Sequence, residues 1–295
     1  MCELNPEMGE FTKILQLIPS LSIVVANKNL FKNVCDILKT NKSLLLGYDT
    51  TYSMGDFYVS QVVARHTAFE NDPIFPIAAL IHQKRDQTSH NLLFRWMREN
   101  YPELNSEGVV FVTDRELGIT KSLKEIMVKA NNVYCWNHVL TDIIAWLDKY
   151  QHKGTNADKI SYRASCQKLL ESKSEEDFDR QLLVEKPLWS QPFVKYFEKH
   201  LLEDMKHSCR YRLEILLTVK SITNNISESM NAAVKRFFEW KESSIDEIVL
   251  GLYYLLNYYV HEIQRGFRST GEWCLKGENS SLKKKMTMHQ VNMRC

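Results

Sequence analysis

The sequence lacks an apolar run long enough to cross a membrane, a marked excess of one charge, and any repeat or low-complexity tract. Its most apolar long stretch, residues 248–260, falls short of the roughly 20 residues that a membrane-spanning helix needs. The first ten residues contain three glutamates and no basic stretch before an apolar run, so no secretion signal is readable. We therefore expect a soluble intracellular protein, nuclear or elsewhere in the cell, that is not secreted and has no membrane partner.

The charge balance gives no overall attraction to a polyanion, since 38 Lys and Arg stand against 36 Asp and Glu, for a net charge of +2. Any nucleic-acid surface must therefore be local. Basic residues cluster after the midpoint, in Lys206, Arg210 and Arg212, in Lys235 and Arg236, and in Lys283, Lys284 and Lys285. Each cluster is either a contact for nucleic acid or a solvated surface.

The seven cysteines are an odd number and lie far apart in a chain of 295 residues. A chain of this length does not need disulfides to fold, so their use fits a reducing compartment. With 44% hydrophobic and 25% charged residues, the composition is that of a globular protein with a sizeable core. We expect one or two domains.

Residues 43–149 alternate between strand-like and helix-like patterns. Three runs rich in apolar and β-branched residues, at 44–46, 57–67 and 74–81, predict three strands. A helix from Thr88 or Ser89, a strand at 109–112, a helix at 119–130 and a short strand at 133–134 follow. Proline cannot donate a hydrogen bond to a neighbouring strand, so Pro76 predicts that the third strand lies at the sheet edge, with the first strand central.

The remaining segments are mainly helical by their periodicity. Residues 1–42 form a helical lead-in, 150–222 an all-helical insertion, and 223–270 a pair of helices that complete the core, while 271–295 resemble a weakly ordered tail. Ser244 and Glu247 have the spacing of a capping box at the start of the last long helix.

This order of elements resembles the RNase H-like fold. It predicts an α/β protein with a mixed five-stranded sheet in the order β-β-β-α-β-α-β-α, and with the helical insertion before the last catalytic helix. In that sheet the first and fourth strands are parallel neighbours, so Asp49 and Asp114 would meet at one spot, and the helix with Glu228 could supply a third acid. Three carboxylates can hold two Mg²⁺ or Mn²⁺ ions, which cleave phosphodiesters without a protein nucleophile.

Four sequence blocks are similar to those of Mutator-like element (MULE) transposases. They are GYDTT with MGDFYV at 47–51 and 54–59, VTDRE at 112–116, CWNH at 135–138, and TNNISESMN at 223–231. The resemblance covers about residues 44–240 and implies a DNA transposase domain with Asp49, Asp114 and Glu228 as catalytic and metal-binding residues. It also implies transposon ends and target DNA as partners, and a homo-oligomer that holds both ends. Such transposases generally carry a DNA-recognition module near the N-terminus, for which residues 1–42 offer no ligand set.

Each acid also has a plainer interpretation. Asp49 could cap a turn, and Asp114 could cap the helix that begins near Glu116. Glu228 falls in a first helical turn, where the helix dipole favours an acid. Asp56 and Glu116 are the nearest other acids, and we interpret them as supporting or surface groups. On the helix of Glu228, one face also carries Asn225, Asn231 and Lys235, which could position water or phosphate and contact the DNA backbone.

Cys135 and His138 have the spacing of a zinc half-site, which His207 and Cys209 could complete. We favour instead a His138 beside the active site, as the resemblance implies, with Cys135 packed under the sheet and no zinc. Trp136 and Trp189 could stack on an unpaired base, although large aromatic residues usually belong to the core. The tyrosines at 253, 254, 258 and 259 follow helical spacing and are interpreted as packing residues.

Three functions remain open at this point. The first is a metal-dependent DNA transposase or nuclease of transposon origin. The second is a domesticated, catalytically silent DNA-binding or transcription-associated protein that keeps the fold. The third is a different nuclease on the same fold, such as an exonuclease or RNase H, against which the Asn224 and Asn225 block counts.

Overall fold

The computed structural model describes residues 10–149, 155–212, 225–239 and 241–283, and only the backbone of 51–54, 225, 226 and 228. The protein is α/β, with a mixed seven-stranded sheet in the order β1-β2-β5-β4-β3-β6-β7. The strands are β1 Thr12–Gln16, β2 Ser22–Ala26, β3 Leu44–Met54, β4 Phe57–Arg65, β5 Ile74–His82, β6 Val109–Thr113 and β7 Asn131–Tyr134.

Helices follow most of the strands and fill the second half of the chain. They are α1 Lys28–Asn41, α2 Gln87–Asn100, α3 Leu117–Ile126, α4 Trp136–Asp148, α5 Asn156–Leu170, α6 Glu175–Glu185, α7 Gln191–His200, α8 Leu202–Ser208, α9 Asn225–Phe237 and α10 Ile245–Arg268. Ser244 and Glu247 form the predicted capping box. Helix α2 begins earlier than predicted, because the Asp86 side chain accepts the Ser89 N–H and caps it. None of the described helices combines the length and the apolarity that crossing a bilayer requires.

The five strands predicted between residues 43 and 149 are present as β3 to β7, and β3 lies inside the sheet between β4 and β6. The prediction of a five-stranded sheet is wrong by two strands, because β1 and β2 form within the segment expected to be mainly helical. Residues Ser22–Ala26 are buried throughout and pair with β5. Helix α1 is the part of that segment that follows the prediction.

The predicted edge position of β5 is also wrong. Strand β5 pairs with β4 on one side and with β2 on the other, where Ala26 is the partner of Ala78 and Ser22 of His82. Pro76 lies beyond the last residue that β2 reaches, so its missing N–H interrupts no bond to β2. On the β4 side, the register shifts between Val62 and Val63, where Val63 faces Pro76.

The chain divides into two compact units. The first comprises Met1–Lys42, Thr50–Arg85 and Ser229–Cys295, and the second comprises Ser43–Asp49 and Asp86–Glu228. In the first unit, residues 271–283 lie where a tail was predicted; there Leu275 bridges to Phe69, and Lys276 forms an ion pair with Asp72 at 2.8 Å.

The second unit contains the helical insertion. Its described residues, 155–212, form helices α5 to α8 and contain no strand. They share one hydrophobic core with β7 and α4, in which the rings of Trp146, Tyr162 and Trp189 pack around Phe193.

Candidate active site

Three neighbouring strands align in a common row of residues, at which β6 and β7 end, while β3 continues beyond its pairing with β6 to Met54. In the parallel pairing of β3 with β6, Tyr48 is the partner of Thr113, and in the pairing of β6 with β7, Thr113 is the partner of Tyr134. The next residues along the three strands are Asp49, Asp114 and Cys135. Paired strands lie about 4.8 Å apart. The two acids therefore follow neighbouring residues, on the side of the sheet where β6 and β7 end. The prediction that their strands are parallel neighbours is confirmed.

Asp114 shapes the turn that ends β6. One of its carboxylate oxygens accepts the Glu116 N–H at 3.0 Å, and helix α3 begins one residue later. Glu116, not Asp114, is the N-cap residue of α3, so the N-cap role considered for Asp114 is wrong, and Asp114 instead closes the turn before the helix. A carboxylate has about four acceptor sites, so this role is compatible with that of a metal ligand. The turn role considered for Asp49 is also wrong, because Asp49 lies within β3.

Asp49 is a buried carboxylate, with 8% of the residue exposed. A buried charge is costly unless it is compensated, and His138 supplies a positive group nearby. A hydrogen bond with the Cys135 side chain, and then the charges of Asp49 and Asp114, raise the pKa of His138 to about 9 against the opposing effect of burial. The raised pKa favours the protonated form of His138 beside Asp49 and Asp114.

Cys135 and His138 reach this edge because α4 begins directly after β7. Cys135 is the N-cap residue of α4, and His138 lies in its first turn. Ser208, at the end of α8, fixes this corner, since its hydroxyl accepts the Tyr134 N–H at 2.9 Å and its carbonyl accepts the Trp136 indole N–H at 2.7 Å. These two hydrogen bonds attach α8 of the insertion to the residues on either side of Cys135.

A second polar network connects the chain neighbours of the two acids. The buried ring of His90 hydrogen-bonds to the Tyr48 hydroxyl at 2.8 Å and to a Glu116 carboxylate oxygen at 3.3 Å. Tyr48 immediately precedes Asp49, and Glu116 is two residues after Asp114. This network couples the middle of β3 to the turn after β6. Sequence reasoning interpreted Glu116 as a supporting or surface group and missed His90 and Tyr48.

Arg115 was also missed, although it stands beside Asp114. Its guanidinium donates to Asp204 at 2.8 Å, to Asp142 at 2.7 Å, and to the carbonyl of His200. The only sequence signal was a basic residue directly after the second acid. Because these carboxylates engage its guanidinium, Arg115 serves to attach the insertion to the turn.

The third predicted acid and its neighbours lie on α9. The side chains of Glu228 and Asn225 are outside the described residues. The Asn231 amide oxygen is largely buried and accepts a hydrogen bond from Gln61 on β4 at 3.2 Å. Lys235 follows one turn later on the same helix.

The other candidate ligands and base contacts have different surroundings. Cys209 is buried, with its thiol donating to the Leu169 carbonyl at 3.2 Å, whereas His207 is exposed on α8. Among the described residues, no group of three or more His, Cys, Asp or Glu side chains is arranged to hold a metal ion; the Glu228 carboxylate is not among them. Trp189 is 5% exposed and packs in the core of the insertion. Of the four tyrosines on α10, Tyr254 and Tyr258 are exposed and are therefore not buried packing residues.

Asp49 and Asp114 could together supply carboxylate oxygens to a divalent metal ion. Hard oxygen ligands suit Mg²⁺ and Mn²⁺, and a neighbouring imidazolium can attract an anionic group. No family model matches the sequence, and no curated protein matches it.

Proposed function

We propose that the chain is the catalytic domain of a metal-dependent enzyme that cleaves and joins DNA strands, of the MULE transposase kind and with an RNase H-like sheet. One observation carries the proposal: Tyr48 pairs with Thr113 on parallel strands, so Asp49 within β3 and Asp114 directly after β6 follow paired residues. The strand order β5-β4-β3-β6-β7, in which β6 and β7 run parallel to β3, agrees with such a sheet.

The donor set fits divalent metal ions. Asp49 and Asp114 offer carboxylate oxygens at one edge, and Glu228 is the proposed third ligand on the strength of its sequence block. Two bound ions would activate a water or a 3′-hydroxyl and stabilise the leaving oxygen of a phosphodiester. The chain's own contribution is to hold the acids in register through β3, β6 and the Tyr48–His90–Glu116 network.

His138 has a separate part in the proposal. Its imidazolium lies close enough to Asp49 and Asp114 for their charges to affect its pKa, so it can attract a phosphate that approaches the acids. Asn231 and Lys235 follow Glu228 along α9 and are proposed to contact the DNA backbone. Because both transposon ends must be held together, we propose that at least two copies act on the DNA.

The test is a cleavage assay of the full chain on intact and pre-nicked duplexes with Mn²⁺ or Mg²⁺. We expect metal-dependent nicking that is lost in Asp49→Asn, Asp114→Asn and Glu228→Gln. Asp56→Asn is the matched control, because Asp56 is an exposed acid in the turn between β3 and β4, and it should cleave normally.

The same assay separates the alternatives. Salt-sensitive DNA binding without cleavage, unaffected by Asp114→Asn, would overturn the enzymatic proposal in favour of the silent DNA-binding protein. Preferential cleavage of an RNA strand in a hybrid, or of free ends alone, would indicate a different nuclease on the same fold.

A further inference from the structure

A cleft with a volume of about 300 Å³ lies in the second unit. Its walls come from the end of α3 and the turn after it, the first residues of β7, His207 on α8, and Arg212. This volume is at the lower end of the range typical of small-molecule sites. We call it the β7 cleft. Asp49, Asp114 and His138 do not line it, so it is distinct from the candidate active site.

The β7 cleft is lined by two cationic side chains and one histidine. Lys124, His207 and Arg212 line it, and each is an exposed residue. No Asp or Glu is among the described residues of its wall. Within the described part of the chain, Lys124 and Arg212 belong to none of the ion pairs, so their charges are available to an anion.

Asn132 belongs to the same wall. Its amide oxygen accepts the Thr113 hydroxyl at 3.1 Å, which orients the amide group. The amide nitrogen is buried and has no hydrogen-bond partner among the described residues. A buried donor without a partner is unfavourable, but this nitrogen is not exposed to the cleft, so the site for an anion is assigned to the exposed cations.

The rest of the wall is apolar. Val128 is 62% exposed, and Met127 and Leu123 lie beside it. A ligand that matches the whole cleft therefore needs an anionic end that accepts hydrogen bonds and a flat body that can cover apolar surface. A nucleotide has both, since its phosphate accepts from cations and its base has an apolar face.

We propose that the β7 cleft binds a nucleotide, with the phosphate at Lys124 and Arg212 and the base against Val128. The chemistry is the same for a free nucleotide and for the phosphorylated end of a DNA strand. This inference goes beyond the proposed metal site and does not depend on it.

The test measures binding to the full chain by calorimetry in EDTA, so that metal-dependent binding at the acids does not contribute. The probes are deoxyadenosine monophosphate, deoxyadenosine, and one short single-stranded oligonucleotide with and without a 5′-phosphate. We expect the phosphorylated form of each pair to bind at least about tenfold more tightly, because only the phosphate accepts charge-assisted hydrogen bonds from the two cations. Binding of the oligonucleotide pair alone identifies a strand end as the ligand, and binding of the mononucleotide identifies a free nucleotide. Absence of binding, or equal binding with and without phosphate, overturns the proposal.

Variants assign the binding to the cleft. Lys124→Gln and Arg212→Gln should each weaken binding of the phosphorylated probe by about tenfold. Lys121→Gln is the matched control, because Lys121 is exposed on the same helix but does not line the cleft. If all three variants weaken binding equally, the attraction is nonspecific and the proposal is wrong. Val128→Lys should weaken deoxyadenosine binding relative to inorganic phosphate, which reports on the base-binding wall without disturbing buried residues.

Discussion

Arg115 donates from Nε to a carboxylate oxygen of Asp204 at 2.8 Å, across 89 positions of sequence. Its Nη1 donates to Asp142 at 2.7 Å. One mostly buried guanidinium therefore ties the turn that follows Asp114 to α8 and to α4. Arginine suits this position because its planar group presents several fixed donors at once.

Removing this guanidinium should loosen the insertion. We expect Arg115→Ala to lower the free energy of unfolding by about 2 kcal/mol, the order expected for hydrogen bonds to charged groups, as measured by urea denaturation. Arg115→Lys should recover only part of the loss. Arg95→Ala is the control, since Arg95 forms an exposed pair with Glu125 at 3.5 Å and should cost less than about 1 kcal/mol. Equal losses in the two alanine variants would contradict this role of Arg115.

His66 should make the protein less stable in mild acid. Both ring nitrogens are buried without a hydrogen-bond partner among the described residues, and the ring packs against Phe69, Phe75 and Phe267. Burial lowers the pKa of His66 from 6.5 to about 4. Between these values the unfolded chain binds the proton and the folded chain does not. The contribution of His66 to stability is therefore fully present above pH 6.5 and falls as the pH decreases, by about 2 kcal/mol between pH 7 and pH 5.

The measurement is urea unfolding at both pH values, in the natural protein and in His66→Phe. The variant should lose that portion of the pH dependence, while a phenylalanine at the exposed His200 should leave it in place. An unchanged slope in His66→Phe would show that another group is responsible.

Gly266 should resist even the smallest side chain. A Cβ atom there would lie 2.7 Å from Cε1 of Phe69, whose ring is fully buried against His66, Phe267 and Trp273. Overpacking costs about 1–3 kcal/mol, whereas alanine gains up to about 1 kcal/mol in helix propensity. We expect Gly266→Ala to lower the melting temperature, and Gly277→Ala, which would meet no atom within 4 Å, to leave it nearly unchanged.

The ring of His138 should titrate well above the ordinary range of histidine. In EDTA, NMR should give a pKa of about 9. Cys135→Ala should lower this pKa the most, because the hydrogen bond with Cys135 is the largest cause, and Asp49→Asn and Asp114→Asn should lower it less. Since the folded pKa is raised, protonation of His138 stabilises the fold fully below pH 6.5, and this contribution is lost as the pH rises through 9. A pKa near 6.5 in the natural protein would contradict this account.

The strands β4 to β7 were predictable because each begins with or contains an apolar or β-branched run. Only the start of β3 was predicted, because its apolar run ends at Leu46 whereas the strand continues through polar residues to Met54. The strands β1 and β2 were not, since five residues are too few to distinguish a buried strand from part of a helix by periodicity. The partner of Ser22–Ala26 is β5, which lies more than fifty positions later in the chain. Because β2 was not predicted, the sequence showed no second partner for β5, and Pro76 was interpreted as the sign of an edge strand.

The parallel pairing of the strands before Asp49 and Asp114 was predictable from the resemblance of the element order to the RNase H-like fold, in which the first and fourth strands are neighbours. The groups that support the two acids were not. Tyr48 and His90 are 42 positions apart. A single polar contact between such distant residues produces no pattern of residue spacing from which it could be predicted. Trp189 has the same side chain whether it stacks on a base or fills a core, and only its neighbours Tyr162, Phe193 and Phe197 decide between these roles.

The pairing of β2 with Ala78–His82 determines where the chain can be shortened without exposing a strand. Removing residues 1–42 would keep β3 to β7 but would leave the amide and carbonyl groups of that half of β5 without their partner. Exposed strands of this kind recruit other chains, so the shortened protein should aggregate where the full chain stays dispersed. A boundary chosen before Thr12 avoids this, because the N-terminal strands are then retained as a cover for β5.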